Sequence, residues 1–341
     1  MPTNEADEAR QIHGVLTAYL KSQAVFSALS LGVFDHLEGE ERTARDLAVQ
    51  LGLHERPTRA LLLALEGLGL LARHGSQFTN APAASRYLVT SSSAYMGSFA
   101  EHQAAHFANF LQLPSSIRTN TSVTKRVLKE GYSDQGAGVG EGDVGRERLI
   151  GAMRVSSRLQ ADELAQKLCL PARTTLVDLG CGSGDYSIAI ARQHPEVRVI
   201  AVDYPAVSAI ASRNVAEAGL SARIDVRSAN IMTDPLPMAD AILLSHVLDG
   251  YGREQTRHLV TKIFQELRPE GHLHIHSHMP DVSEGVFPAL FGLILLINTE
   301  EGEVYEASEL EELLRGVGFG SVTREEVSFL SGLISAIRPR R

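Results

Sequence analysis

A short apolar strand running into closely spaced glycines constrains this chain more than any other feature. Leu176-Val177-Asp178-Leu179 leads into Gly180-Cys181-Gly182-Ser183-Gly184, and Ser187 to Arg192 reads as a helix. Glycines at alternate positions let the backbone turn tightly and approach a ligand. Val197 to Val202 reads as the next strand, and Asp203 ends it. A carboxylate about 20 residues past the first glycine can accept both hydroxyls of a ribose. Open α/β sheets bind ligands at the carboxyl ends of their strands, where this loop lies. The spacing G-x-G-x-G lacks the third glycine of the dinucleotide fingerprint and suits a nucleoside ligand with no pyrophosphate.

The texture continues downstream. Ile224 to Arg227, Ala241 to Ser245 and His272 to His276 read as strands, with helices over Val207 to Ala218 and Glu254 to Leu267. Strands alternating with helices predict a Rossmann-like, doubly wound parallel sheet. The first part of the chain is different. Phe26, Leu29, Val33 and Leu37 lie on one helical face. Thr43 can cap a helix that stops at Gly52, and Pro57 fits the first turn of a helix carrying Leu61, Leu62, Leu65 and Leu68. His74-Gly75-Ser76 turns a short hairpin. Three helices and a hairpin make the winged-helix pattern, used either for DNA or for packing and dimerisation. Residues 93–130 read as further helices with an aromatic and Met cluster, Tyr95, Met96, Phe99, His102, His106, Phe107 and Phe110, and Gly131 to Gly145 reads as a linker.

Composition narrows the choices. The 341 residues suffice for two domains; 44% are hydrophobic and 21% charged, so packed cores are expected. Lys and Arg total 32 against 41 for Asp and Glu, which argues against nucleic acid as a partner. Cys169 and Cys181 make no disulfide framework, and a reducing cytoplasm is expected. The start is acidic where a signal peptide would be basic, and the apolar run Val286 to Ile297 is too short to span a membrane. A second glycine pattern, Gly140-Glu-Gly142-Asp-Val-Gly145, matches the dinucleotide fingerprint but follows turn residues rather than a strand. Its Glu141 and Asp143 would also repel phosphate, so it reads as flexible chain.

The segment from Leu176 to Asp185 resembles motif I of class I S-adenosylmethionine-dependent methyltransferases. Val202-Asp203-Tyr204-Pro205 is similar to the "fDlP" that follows it in small-molecule O-methyltransferases of the plant caffeate and bacterial natural-product type. Gly271-His-Leu-His-Ile and the stretch from Glu300 to Phe319 match later motifs of the same family, and the N-terminal helices resemble its dimerisation domain. The resemblance implies a dimerisation domain at 1–92, a helical connector and substrate-pocket region at 93–170 and a cofactor domain at 171–341. It implies a homodimer acting on a small-molecule substrate with S-adenosyl-L-methionine as cofactor. By the same resemblance Gly180, Gly182 and Gly184 pass under the methionine part, with Asp178 in the motif. Asp203 holds the ribose beside Tyr204, Asn230 faces the adenine amino group, and Ile231 packs on the ring. Met153 and Ser157 match a Met and Ser of the family, the Ser contacting the cofactor carboxylate. Ser245 stands near the adenine where the family has Lys.

The catalytic positions depart from the family. Its "HDW" is replaced by Asp249-Gly250-Tyr251, and Ser277 and Val304 stand where it carries two carboxyls. No other His can be slid into register, because the helix from Glu254 keeps the spacing. Asp249 is a candidate base, with Tyr251 beside it. An ordinary carboxylate is a weak base, and in-line positioning of the acceptor alone can supply about 7–11 kcal/mol of a displacement barrier. His272, His274, His276 and His278 alternate along one strand and share a face. A metal site would need them to converge rather than line up, so no metal is expected, and His278, nearest the strand end, is the candidate substrate contact. Two other readings remain. One is a family member that keeps the cofactor without methylating. The other is a winged-helix DNA-binding regulator, disfavoured by motif I with Asp203 and by the lack of a basic helix.

Overall fold

The computed structural model describes residues 5–123, 142–282 and 285–340. The chain divides into two compact units, Met1–His106 and Phe107–Arg341.

The first unit carries α1 (Glu5–Ser30), α2 (Val33–His36), β1 (Arg42–Thr43), α3 (Ala44–Leu51), α4 (Glu55–Gly67), β2 (Leu71–His74), β3 (Gln77–Asn80) and α5 (Pro82–Tyr87). Its strands are ordered β1-β3-β2, so the predicted hairpin forms and gains β1 at its edge. Phe34, Leu37, Leu47, Leu62, Leu65 and Phe78 fill that core. The Thr43 hydroxyl accepts the Asp46 N–H at 3.2 Å and starts α3 as its sequence predicts. One expectation is corrected. The face through Phe26 and Leu37 is not one helix, because the chain turns at Leu31-Gly32 and restarts as α2. The apolar spacing survives the break because both pieces pack on the same core. Helix α6 (Gly97–Phe110) crosses the boundary between the units.

The second unit holds α7 (Leu113–Thr119), α8 (Gly142–Arg158), α9 (Ala161–Lys167), β4 (Thr175–Leu179), α10 (Asp185–Gln193), β5 (Arg198–Asp203), α11 (Pro205–Glu217), β6 (Ile224–Ser228) and β7 (Ala241–Ser245). It continues with α12 (Arg253–Glu266), β8 (His272–Ser277), α13 (Phe287–Asn298), α14 (Ala307–Val317), β9 (Gly320–Ser328) and β10 (Ser331–Ile337). Of the glycine-rich linker, residues 131–141 lie outside the described residues. Gly142 to Gly145 open α8 instead of forming loop.

The sheet order is β6-β5-β4-β7-β8-β10-β9. The strands from β6 to β8 pair in parallel, and β10 inserts antiparallel between β8 and β9. Sequence reading did not find the β9–β10 pair, although Ser331 to Ile337 alternates weakly. Both faces are covered, so strand residues alternate between two cores. Val177, Leu179, Ile242, Leu244, Leu273 and Ile275 face one, and Leu176, Ala201, Ala241 and Leu243 the other. Among the described residues no helix is long and apolar enough to cross a membrane.

Candidate active site

The glycine loop is pinned by its own backbone. The Gly180 and Cys181 N–H groups donate to the Val202 carbonyl at 2.8 and 3.1 Å, and the Gly182 N–H donates to Asp203 Oδ2 at 2.8 Å. Gly180 has φ +75°, and a β-carbon there would meet Val247 Cγ2 at 2.6 Å. Side chains are therefore barred by conformation and by space. Gly182 has φ +57° and nothing within 4 Å of such a carbon, so room lies over the middle of the loop. The Tyr204 N–H donates to Asp203 Oδ1 at 2.7 Å, which fixes this carboxylate at the end of β5. Burial raises the Asp203 pKa, and these two N–H donors oppose the rise. Beneath the loop, Asp178 Oδ2 accepts from Ser187 Oγ at 2.6 Å while Oδ1 is buried with no hydrogen-bond partner. Burial pushes the Asp178 pKa up to about 6.

Other predicted cofactor residues are arranged with varying directness. Met153 and Ser157 lie one turn apart on α8, and Arg154 and Arg158 between and after them pair with Asp185 at 3.4 and 3.2 Å. Asn230 already accepts the Met232 N–H on its amide oxygen at 2.9 Å. Ile231 is buried in the core, so only its edge is left for a ring. Ser245 is turned elsewhere: its hydroxyl bonds His276 Nδ1 at 2.8 Å. Tyr251 lies close to Tyr204 and Asp203, and burial, then Tyr204, raises its pKa. The Tyr251 carbonyl is held by the Tyr305 hydroxyl at 2.9 Å, a contact no sequence signal indicated.

Asp249 and Ser277, two positions that the resemblance marks as departures from the family, meet. Asp249 is buried, and its Oδ1 accepts from Ser277 Oγ at 2.5 Å. Val304 lies against Gly292 of α13 and offers no polar group. The row of histidines does share one face, and it is bonded to serines and a carbonyl. His274 Nδ1 meets Ser335 Oγ at 2.8 Å, and His276 Nε2 meets Ser331 Oγ at 2.8 Å. His278 Nδ1 donates to the Leu330 carbonyl at 2.7 Å. Burial pushes His274 down to about 3 and His278 down to about 4, so these rings are neutral near pH 7. Among the described residues no cluster of three or more His, Cys, Asp or Glu is arranged to hold a metal. Past His278 the wall is aromatic, with Phe291 at 4.4 Å and Phe287 at 5.3 Å between ring centroids.

The profile of an O-methyltransferase domain matches residues 140–320, and that of an O-methyltransferase dimerisation domain matches residues 14–90. The chain belongs to this O-methyltransferase family. It is 31% identical over 310 residues to a 3-hydroxy-5-methyl-1-naphthoate 3-O-methyltransferase of Streptomyces sahachiroi, covering 90% of this chain and 88% of that protein. It is 28% identical to the N,N-dimethyltransferase OxyT of Streptomyces rimosus, over 99% of both. Human N-acetylserotonin methyltransferase, solved with S-adenosylmethionine, has the same fold, with a TM-score of 0.86, 20% identity and 99% coverage of both chains. This O-methyltransferase family member is thus an S-adenosylmethionine-dependent methyltransferase. The residues present fit that cofactor. They supply open space over Gly182, a carboxylate fixed at the strand end, and an unpartnered Asp178 oxygen below.

Proposed function

We propose that this methyltransferase moves a methyl group to an oxygen, nitrogen or carbon of a small aromatic, polyketide-like metabolite, and that it works as a homodimer. The observation that carries the acceptor class is the wall of neutral rings, His278, Phe287 and Phe291, beside the buried Asp249–Ser277 pair. Flat apolar acceptors stack on such a wall. The relatives named above, a naphthoate O-methyltransferase and an N,N-dimethyltransferase, support the same class. S-adenosylmethionine supplies an electrophilic methyl group on a sulfonium. In this reading Asp203 binds the ribose hydroxyls, and Gly180, Gly182 and Gly184 keep the loop low enough for close approach. Asn230 meets the adenine edge, and Ser157 and Met153 border the amino-acid end. His278 orients the acceptor through the ring nitrogen that does not donate to Leu330. The enzyme places the acceptor in line with the methyl carbon, which lowers the barrier.

Incubation with methyl-labelled S-adenosylmethionine and a panel of hydroxynaphthoates and aminoarenes is expected to yield labelled product. Binding of S-adenosylhomocysteine together with consumption of an acceptor but no label transfer would contradict the methylation reading.

The proposed seam of the dimer is α1. Ile12, Val15, Leu16, Tyr19 and Leu20 are all more than half exposed and recur at helical spacing, an apolar stripe that a lone helix would leave in water. Leu16→Glu is expected to shift light-scattering mass from about twice the chain mass of 36.9 kDa to the single-chain value. A wild-type protein that is monomeric at micromolar concentration would refute the seam.

A further inference from the structure

One histidine beside Asp249 is left without a role. His246 follows β7 directly, and its backbone N–H still donates to the His276 carbonyl at 2.8 Å. Its φ is nevertheless +54°, in the left-handed region that residues other than glycine seldom adopt. Such strain concentrates where function demands it. Both ring nitrogens of His246 are buried without a hydrogen-bond partner, and so is Oδ2 of Asp249. His246 Nδ1 and Asp249 Oδ2 face each other at 3.6 Å. That is beyond a hydrogen bond, and closure by about half an ångström makes one. Three buried polar atoms without partners in one place are costly to keep.

The groups packed around this ring are known. His276 and His278 of β8 lie at 4.7 and 4.5 Å between centroids, Tyr186 of α10 at 6.3 Å, and Asp249 follows in the turn after β7. The alternatives for a base are engaged. His276 has both nitrogens on serines. His278 is held at Nδ1 by Leu330 and made a weak base by burial. Asp249 has one oxygen on Ser277 and the other turned to His246.

We infer that His246 takes the acceptor's proton during methyl transfer and that Asp249 positions its ring. The base of this enzyme thus comes from three residues before the position where its family carries one. This rests on the methyltransferase reading. The acceptor's lone pair forms the new bond to the methyl carbon, and the carbon–sulfur bond breaks with its pair retained on sulfur, leaving a neutral thioether. The acceptor's proton passes to His246 Nε2. The imidazolium then donates Nδ1–H to Asp249 Oδ2, so its charge is offset where the neighbouring rings are neutral. Nε2 is covered in this structure, so the acceptor meets it only once its cover shifts while Nδ1 stays beside Asp249.

Two readouts test this. Nitrogen-15 histidine NMR of the protein saturated with S-adenosylhomocysteine reports the tautomer, with the His246 signals identified by their loss in His246→Asn. A proton on Nδ1 is expected, and a proton resident on Nε2 overturns the inference. In the transfer assay with a hydroxynaphthoate that the wild type methylates, His246→Asn, which tolerates the left-handed backbone, is expected to lower kcat about 100-fold. Its S-adenosylhomocysteine affinity, read by calorimetry, stays within about threefold of wild type if the fold is intact. Asp249→Asn is expected to cost about tenfold and to add nothing to His246→Asn. A His246→Asn enzyme retaining more than about a third of kcat, or a larger loss in Asp249→Asn than in His246→Asn, overturns the inference. Failure of the wild type to bind S-adenosylhomocysteine removes the underlying reading instead. If it binds but methylates none of the panel, the tautomer decides alone.

Discussion

Asp203→Ala is expected to weaken S-adenosylhomocysteine binding by about 10²–10⁴. In the role proposed for Asp203, two charge-assisted hydrogen bonds to the ribose hydroxyls contribute about 1.5–3 kcal/mol each, and every 1.4 kcal/mol is about tenfold in affinity. The same carboxylate also holds the loop, through the Gly182 and Tyr204 N–H groups at 2.8 and 2.7 Å. The Ala variant therefore loses the ligand contact and the loop anchor together. Asp203→Asn separates them in part, since an amide keeps one acceptor oxygen and loses the charge. Calorimetry on the three proteins checks this, and equal affinity in wild type and Asp203→Ala would remove Asp203 from the ribose site.

The second large effect is on stability as pH falls. Burial holds His274, His276 and His278 well below the ordinary histidine pKa, with His274 near about 3 and His278 near about 4. In the unfolded chain these rings take protons below about pH 6.5, while the folded protein does not take them until its lower values are reached. The unfolded state then binds more protons, and stability is lost as pH drops from about 6.5 towards 4. Asp178 works the other way. Its folded pKa of about 6 lies above the unfolded value, so the folded state gains a proton in much of that window. These three imidazoles against Asp178 leave a net of about two protons, roughly 2–3 kcal/mol per pH unit between pH 6 and 5; His102 and His106, whose pKa burial also lowers, add to the slope, and Asp203, whose pKa burial raises, opposes it. Urea titrations followed by circular dichroism at pH 7, 6 and 5 measure this slope. His274→Leu is expected to flatten it by about one proton, or roughly 1.4 kcal/mol per pH unit. A slope near zero in the wild type would mean that these rings are not neutral in the folded protein.

Legibility tracked the distance over which each signal acts. The Thr43 cap, the hairpin at Gly75 and the strand, glycine loop and helix from Thr175 to Gln193 are written within a few residues of where they fold. They could be read because caps, turns and period-2 alternation are local physics. The limits of that reading are equally specific. The spacing through Phe26 and Leu37 was continuous in sequence, yet the helix breaks between them, since packing on one core does not require one helix. The alternating histidines were seen to share a face, but not what satisfies them. Their partners Ser331 and Ser335 sit on β10, paired antiparallel to β8 across more than 50 positions.

The sequence by itself determined the doubly wound sheet and the methyltransferase family. The sheet follows from strand and helix patterns alternating at short range, and the family from the resemblance carried by Leu176 to Asp185 and Val202 to Pro205. Only the tertiary structure decided that Ser245 turns to His276, that Ser277 bonds Asp249, and that His246 faces Asp249 from a left-handed backbone. For the two contacts that cross between the strands, the physical reason is that β7 and β8 are adjacent in the sheet but about 30 positions apart in the chain. Their register, Ser245 beside His276, is set by the packing of both faces of the sheet and not by any local preference of either strand.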